Sequence, residues 1–339
     1  MTNMGLNGIP PKMNTKERLL RYLKEEQGRF VSGEKVSSRL AISRSAIWKH
    51  ISRLKGEGYD IESSPRKGYA LRRIPDCLLA GEVREGLDTN LIGQKPIFHF
   101  QETDNTNNQA KTLAYDGAPE GALVIAEGQS QGRGRRGRVW FSPPGQGIYA
   151  TVILRPHLPL SEAPKLTLMA AVAAADAVQN RTGLTVRIKW PNDILVNGRK
   201  LAGILTEIGT EMDSLDFAVI GLGLNVNIPR ESFPPGLRMP ATSVLIEQGK
   251  PFPRIFLLRA WLEELEKTYT LFCQGHFNTI LSRWKILADI VGNRIAVDLP
   301  GRRYTGEVQE VDEHGVLILK EPDGTLQRIF SGDVTLLTS

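Results

Sequence analysis

The sequence predicts a multidomain α+β protein: an N-terminal winged helix-turn-helix over residues 1–75, a central mixed α/β body over 76–290, and a small C-terminal β-barrel over 291–339. Three observations carry this reading. Positive charge is concentrated in the first quarter, where residues 1–75 hold 16 Lys and Arg against 7 Asp and Glu, within a chain whose total is only +6. Strand-like apolar runs alternate with helical patterns from Pro96 onward, as in α/β bodies. From Arg294 short strands separated by turn residues follow one another, the spacing of a small closed barrel.

In the first part, Asn14 with Glu17 three residues later has the spacing of a capping box, and Leu19, Leu20 and Leu23 form an apolar stripe ending at Gly28. Ser32 caps a second helix carrying Val36 and Leu40. Ser43 caps a third, whose Ile47, Ile51 and Leu54 share one face. The other face offers Ser43, Arg44, Ser45, Lys49 and Arg53, and the basic hairpin Ile61–Leu71 adds Arg66 and Lys67 in its turn. Such a helix offers its N-terminal residues to base edges, and the hairpin turn meets phosphate. Trp48 fits either that face or a sideways packing against the second helix.

Pro75–Leu91 reads as a connector. Strands are expected at Ile97–Phe100, Leu123–Ile125, Ile148–Leu154, Val186–Ile188, Leu201–Glu207 and Phe217–Val226. Helices are expected at Thr106–Tyr115, Ala163–Gln179 and Arg254–Phe272, the second buried on one side.

The most informative segment is Gly132–Ile148, which sets Arg133, Arg135, Arg136 and Arg138 among Gly132, Gly134 and Gly137 directly after a buried strand. Glycine lets backbone N–H groups converge on an anion, and arginine adds a charge that burial does not remove. The loop is expected to repel itself when empty and to order around a polyanion. It matches Gly-x-Gly-x-x-Gly, but Val139–Phe141 and then Pro143-Pro144 follow instead of a helix, so it is no dinucleotide fingerprint. No phosphate-binding Gly-x-x-x-x-Gly-Lys-Ser/Thr occurs either. A second cationic element is Lys189-Trp-Pro-Asn-Asp193, which fixes a lysine at a strand end. Two positive elements on one anion stabilise charge developing in acyl or phosphoryl transfer. Asn192 and Asp193 add acceptors that orient the lysine or a hydrated Mg²⁺. Gln101–Gln109, with Gln129, is a dense set of neutral donors and acceptors suited to an uncharged amide or ureido ring, and Gly221-Leu-Gly-Leu-Asn225 allows a ligand close to the backbone.

Other classes are excluded. Cys77 and Cys273 are far apart, the five histidines are scattered without metal spacing, and the N-terminus has no apolar leader. A cytoplasmic protein that does not enter membranes is expected.

Taken together, Asp104-Asn-Thr-Asn107, Gly132–Gly137, Lys189–Asp193, Lys200-Leu-Ala-Gly-Ile204 and Gly221–Asn225 resemble the biotin protein ligases, of the bifunctional type that also represses the biotin operon. The resemblance covers nearly the whole chain. It implies a winged helix, a biotin/lipoate-ligase-like catalytic domain and an SH3-like barrel. It also implies ATP-dependent formation of biotinyl-5′-adenylate with Mg²⁺, and transfer of biotin to a lysine of the biotin carboxyl carrier protein. Operator DNA of biotin-synthesis genes and a homodimer formed with the adenylate are the implied further partners. By resemblance Asn105, Thr106, Asn107 and Gln129 line the biotin head. Arg133, Gly134 and Arg135 wrap the ligand, Lys189 lies at the reacting groups where, with the catalytic Arg133 and Arg135, it offsets charge on the phosphates, and Trp140 and Asn225 contact the adenylate. The family usually has Ser where this chain has Asn105.

Overall fold

The first helix begins where the capping box places it. In the computed structural model, which describes residues 14–211, 214–299, 301–330 and 332–337, the Asn14 side-chain Oδ1 accepts from the Glu17 N–H and the Glu17 carboxylate accepts from the Asn14 N–H, both at 3.0 Å. This opens α1 (Thr15–Glu25). The N-terminal residues read above as leaderless lie outside the described residues. Ser32 and Ser43 likewise cap α2 (Gly33–Leu40) and α3 (Arg44–Gly56), and Ala41 turns the chain between them with φ 55°. Leu19, Leu23, Val36, Leu40, Ile47, Ile51 and Leu54 are buried, as their spacing requires. β1 (Asp60–Ser64) and β2 (Gly68–Arg73) form an antiparallel hairpin. Gly68 has φ +97°, and a Cβ there would lie 2.0 Å from the Val31 carbonyl oxygen, so only glycine fits.

The chain divides into two compact units after Cys77. The second opens with a short helix, α4 (Ala80–Arg84), inside the segment expected to be connector. Its Val83, like nearby Leu78 and Ile92, is fully buried, which gives the segment a core of its own to join. Then come β3 (Ile97–Thr103), α5 (Thr106–Tyr115), β4 (Leu123–Gln129), β5 (Gly147–Leu154) and α6 (Ala163–Thr182). β6 (Arg187–Lys189), β7 (Asp193–Val196), β8 (Arg199–Glu211) and β9 (Ser214–Asn225) follow, with α7 (Val244–Gln248), α8 (Arg254–Cys273) and α9 (Phe277–Ala288). The strands form one sheet in the order β3-β4-β5-β9-β8-β7-β6, parallel only between β3 and β4.

Both faces of this sheet are covered, which explains the unbroken apolar runs of β4 and β5. Leu123 and Ile125 join the large core with α6 and α8, whereas Val124 between them joins a smaller core with Ala110 and Ala114 of α5. The α6 helix is buried almost all round rather than on one side. Leu166 and Leu168–Ala175 are all buried, because α8 and α9 pack on it as well as the sheet. The α9 helix was not anticipated, although Phe277, Ile280, Leu281, Trp284 and Leu287 bury one helical face.

β10 (Arg294–Leu299), β11 (Arg302–Val311), β12 (Leu317–Lys320), β13 (Leu326–Ile329) and β14 (Asp333–Leu336) make a five-stranded antiparallel sheet in the order β13-β12-β11-β10-β14. Among the described residues this sheet is open, not the closed barrel expected. Its last two strands, consecutive in sequence, lie at opposite edges and do not pair. Ile295, Val297, Val308 and Leu319 belong to the same contiguous core as α6, so the C-terminal sheet is packed into the second unit. Among the described residues, no helix is long and apolar enough to cross a membrane.

Candidate functional site

The arginine segment leaves β4 at Gln129 and closes on itself. Trp140 N–H donates to the Gly132 carbonyl at 2.8 Å and Gly134 N–H to the Arg138 carbonyl at 2.7 Å, with Arg133 and Val139 bridged between them. Arg136 takes a left-handed φ of 56°, and Arg135–Gly137 form a single 3-10 turn. At Gly132 a Cβ would meet the Ser142 hydroxyl and the Trp140 carbonyl at 2.4 Å, so close packing fixes this glycine.

The expected mutual repulsion is relieved internally. Arg133 Nη2 donates to both Glu207 carboxylate oxygens, at 2.9 and 3.1 Å, and to Asn108 Oδ1 at 2.8 Å. Arg135 reaches Asn192 Oδ1 at 3.3 Å and the Gly332 carbonyl at 3.4 Å, while Arg136 donates to the Asp298 carbonyl at 2.9 Å. The arginines therefore splay toward α5, β8 and the C-terminal sheet. Glu207 also accepts from Lys111 and Asn107, and these bonds with the charge of Arg133 outweigh burial and hold its carboxyl below the ordinary carboxylate range.

Beside this loop lies a connected set of neutral polar groups. Asn105 caps α5, its Oδ1 accepting from Asn107 N–H at 2.9 Å and Asn108 N–H at 3.4 Å. Ser and Asn are both strong N-caps, which accounts for asparagine at this position. Thr106 donates through its N–H to Gln129 Oε1 at 2.9 Å, and Gln129 Nε2 donates to the Ser142 hydroxyl at 2.9 Å. The Thr151 hydroxyl lies 2.8 Å from Asn107 Oδ1, and Asn107 Nδ2 donates to the Leu205 carbonyl at 3.0 Å. These bonds fix which end of each amide is donor and which acceptor. Burial raises the Asp104 carboxyl, but hydrogen bonds from Asn108, Gln109, the backbone and Thr103 prevail and bring it to about 2.

Lys189 ends β6, half-buried. Asp193, expected to orient that lysine or a metal, has its Oδ1 2.7 Å from Lys200 Nζ. Lys200 in turn lies 5.2 Å from the centre of the Trp140 ring. The Gly221 and Gly223 positions serve side chains. A Cβ at 221 would come 2.1 Å from Asn107 Oδ1, and one at 223 would come 2.5 Å from the Trp140 indole. Asn225 is buried and donates to the Thr242 carbonyl at 3.0 Å, tying β9 to the segment that follows it. Asn192 likewise donates to the Ile204 carbonyl at 2.6 Å.

All the central residues expected from the sequence, Asn105, Thr106, Asn107, Gln129, Arg133, Gly134, Arg135, Trp140, Lys189 and Asn225, line one cavity of about 370 Å³. Arg138, Lys200 and Arg238 join them, and Asp193 is its only acidic residue among those described. Such a lining suits a polyanion with an uncharged polar head. Sequence reasoning missed Glu207, Thr151 and the apolar wall of Phe233, Leu237, Met239 and Pro240, and it named Lys200 only within its motif. The signal at Glu207 was an acid closing the apolar run of Ile204 and Leu205.

In the first unit Ser43, Arg44, Ser45, Lys49, Arg53, Arg66 and Lys67 are all exposed. The Ser43 hydroxyl is engaged as a cap, accepting from Ala46 N–H at 3.2 Å.

Residues 97–225 match the Biotin/lipoate A/B protein ligase family, 15–70 an HTH domain and 290–337 the Biotin protein ligase C terminal domain. The fold and cavity thus define a ligase of the biotin and lipoate class joined to a helix-turn-helix unit. The bifunctional ligase/repressor BirA of Bacillus subtilis is 39% identical over 318 residues, covering 94% of this chain and 97% of that protein. That of Escherichia coli is 32% identical over 309 residues, covering 91% and 94%. The structure of biotin protein ligase from Aquifex aeolicus in complex with biotin and ATP superposes with a TM-score of 0.61 at 26% identity, covering 72% of this chain and all of that one. The chain belongs to the biotin protein ligases, in the bifunctional ligase/repressor branch.

Proposed function

We propose that the second unit activates biotin with ATP to biotinyl-5′-adenylate and pyrophosphate, then transfers biotin to a lysine of the biotin carboxyl carrier protein of acetyl-CoA carboxylase. The first unit binds operator DNA of biotin-synthesis genes as a winged helix-turn-helix. One observation carries the ligase reading: a single cavity presents both an oriented amide network and two lysines. In this reading residues 1–75, 76–290 and 291–339 are the DNA-binding, catalytic and C-terminal domains, the last of SH3-like type.

Asn105, Thr106, Asn107 and Gln129 border the ureido head, an uncharged group that needs both donors and acceptors. Arg133, Gly134 and Arg135 wrap the ligand, and Trp140 and Asn225 border the nucleotide. The biotin carboxylate attacks the α-phosphorus, and pyrophosphate leaves. Lys189 and Lys200 stabilise the charge on the phosphates during this step. Asp193, paired with Lys200, holds that ammonium in place. In the second step the carrier amine attacks the acyl carbonyl, loses its proton, and AMP departs.

Mg²⁺ takes one or two carboxylates together with phosphate oxygens and water. Asp193 and Asn192 offer oxygens of the right kind on the cavity wall, so the residues fit the ion. Bound there with the nucleotide, it would offset phosphate charge.

Purified protein with labelled biotin, ATP and a carrier domain should give labelled carrier, and lipoate in the same assay should give none. Labelling by lipoate alone would overturn the substrate assignment. A single helix-turn-helix unit reaches one half-site, so operator binding needs a two-fold pair. Adenylate binding is expected to promote a homodimer and thereby raise operator affinity. Sedimentation and operator titration of the protein alone, with biotin, and with biotin plus ATP at fixed salt should show both changes only in the third state. An assembly state that ignores the adenylate would contradict this coupling.

A further inference from the structure

Trp48 is 63% exposed, on a helix whose apolar positions Ile47, Ile51 and Leu54 are almost completely buried. The sideways packing against α2 that the sequence allowed does not cover it. Arg44 and Ser52 flank it on its own i±4 row, Ser45 and Lys49 form the next row, and all four are exposed. The α3 sequence, Arg44–Gly56, contains no carboxylate. Trp48 is thus a large apolar side chain standing in a wholly basic and hydroxyl-bearing face, one turn into the helix. Among the tryptophans it stands apart: Trp190, Trp261 and Trp284 are buried and Trp140 is half-buried.

The surrounding charge selects the occupant. Arg44, Lys49 and Arg53 on α3, with Arg66 and Lys67 at the hairpin turn, complement a polyphosphate backbone, so duplex DNA fits this face. Within the major groove the base edges present hydrogen-bond donors and acceptors, and the C5-methyl group of thymine is the one apolar group that projects into it. Serine, lysine and arginine can serve the polar edges. An indole has one donor and an apolar plate, and its natural counterpart is that methyl group.

We infer that Trp48 is a specificity-determining residue that packs on a thymine methyl in the major groove of the operator. This rests on the DNA-binding reading above and adds to it the kind of base read and the side chain that reads it.

The test uses the full-length protein with biotin and ATP. A binding duplex is recovered from a randomised pool, and each thymine is then replaced in turn by deoxyuridine, which lacks only the methyl group. The wild type should lose about fivefold in affinity at one thymine per half-site. Trp48→Ala should bind the parent duplex more weakly by a similar factor and show no further loss at that deoxyuridine. Trp48→Phe should retain part of the sensitivity. Carrier biotinylation should be unchanged in both variants, which reports an intact second unit, and far-ultraviolet circular dichroism with cooperative melting reports the first. Should Trp48→Ala fail to fold, the comparison of wild type with Trp48→Phe decides. A wild type indifferent to every deoxyuridine, or a Trp48→Ala as sensitive as wild type, would overturn the inference. So would loss of self-association in Trp48→Ala with methyl sensitivity intact, which would assign the indole to a protein contact. Recovery of no duplex at low salt would instead remove the DNA-binding reading itself.

Discussion

Replacing either Lys189 or Lys200 by methionine is expected to slow adenylate formation by about 10²–10³, because each removes a fixed positive charge from the cavity where phosphate charge develops. Both residues line that cavity. Methionine keeps most of the stem volume, so packing changes little. Lys200 is held at 2.7 Å by Asp193 and lies over Trp140, so its ammonium is already oriented and little reorganisation is needed in the reaction. Asp193→Asn should act in the same direction but less strongly, since it frees the Lys200 ammonium without deleting it. Single-turnover measurement of pyrophosphate release, with biotin binding followed separately, separates chemistry from affinity. A variant at either lysine that turns over at the wild-type rate would take that lysine out of the site.

The second large effect concerns stability. Arg254 of α8 is fully buried and pairs at 2.8 Å with Glu127 of β4, itself 6% exposed, and it also donates to the Gly147 carbonyl at 3.0 Å. Glu127 further accepts from Leu78 N–H at 2.7 Å. Burial pushes the Glu127 carboxyl up, but the His99 contact, the charge of Arg254 and the Leu78 N–H together hold it below its ordinary value of 4.5. Removing Arg254 leaves a buried carboxylate without its counter-charge, and Arg254→Met is expected to cost about 3–5 kcal/mol. The double variant Glu127→Gln with Arg254→Met should recover part of that loss, because no unpaired charge then remains. A carboxyl held below 4.5 contributes stability above that pH and loses it as the pH falls through its lowered folded-state value. The deficit of Arg254→Met should therefore be full at neutral pH and shrink in acid. Denaturant unfolding of the three proteins across pH measures this. A single variant as stable as wild type, or a double variant less stable than the single, would show that the pair does not act as described.

This pair illustrates what was illegible in one dimension. Glu127 closes an apolar strand and Arg254 opens a distant helix, and nothing in either segment announces the other. The same holds for Arg133 and Glu207. The arginine loop was conspicuous for its charge, but its counter-charge lies on β8, brought alongside by pairing with β9 and by the position of α5. The sequence read Gly221 and Gly223 as room for a ligand. Both line the cavity, and they also leave room for Asn107 and Trp140, side chains whose arrival depends on α5 and the arginine loop crossing the sheet.

Local signals were sufficient wherever the physics is local. The capping box at Asn14, the caps at Ser32 and Ser43, the apolar run of β4 and the 3.6-residue stripe of α3 depend on neighbours a few residues away. The sequence by itself therefore determined most of the elements, though not α4, α7 or α9, together with the basic helix-turn-helix and most of the polar and cationic residues that meet in the cavity. Tertiary structure alone decided that Asp193 holds Lys200, that Arg133 belongs to Glu207, that Trp48 stays exposed and that the last sheet is open among the described residues. Each of those outcomes depends on long-range pairing, where the cost of loop closure is met only by the whole set of packed contacts acting together.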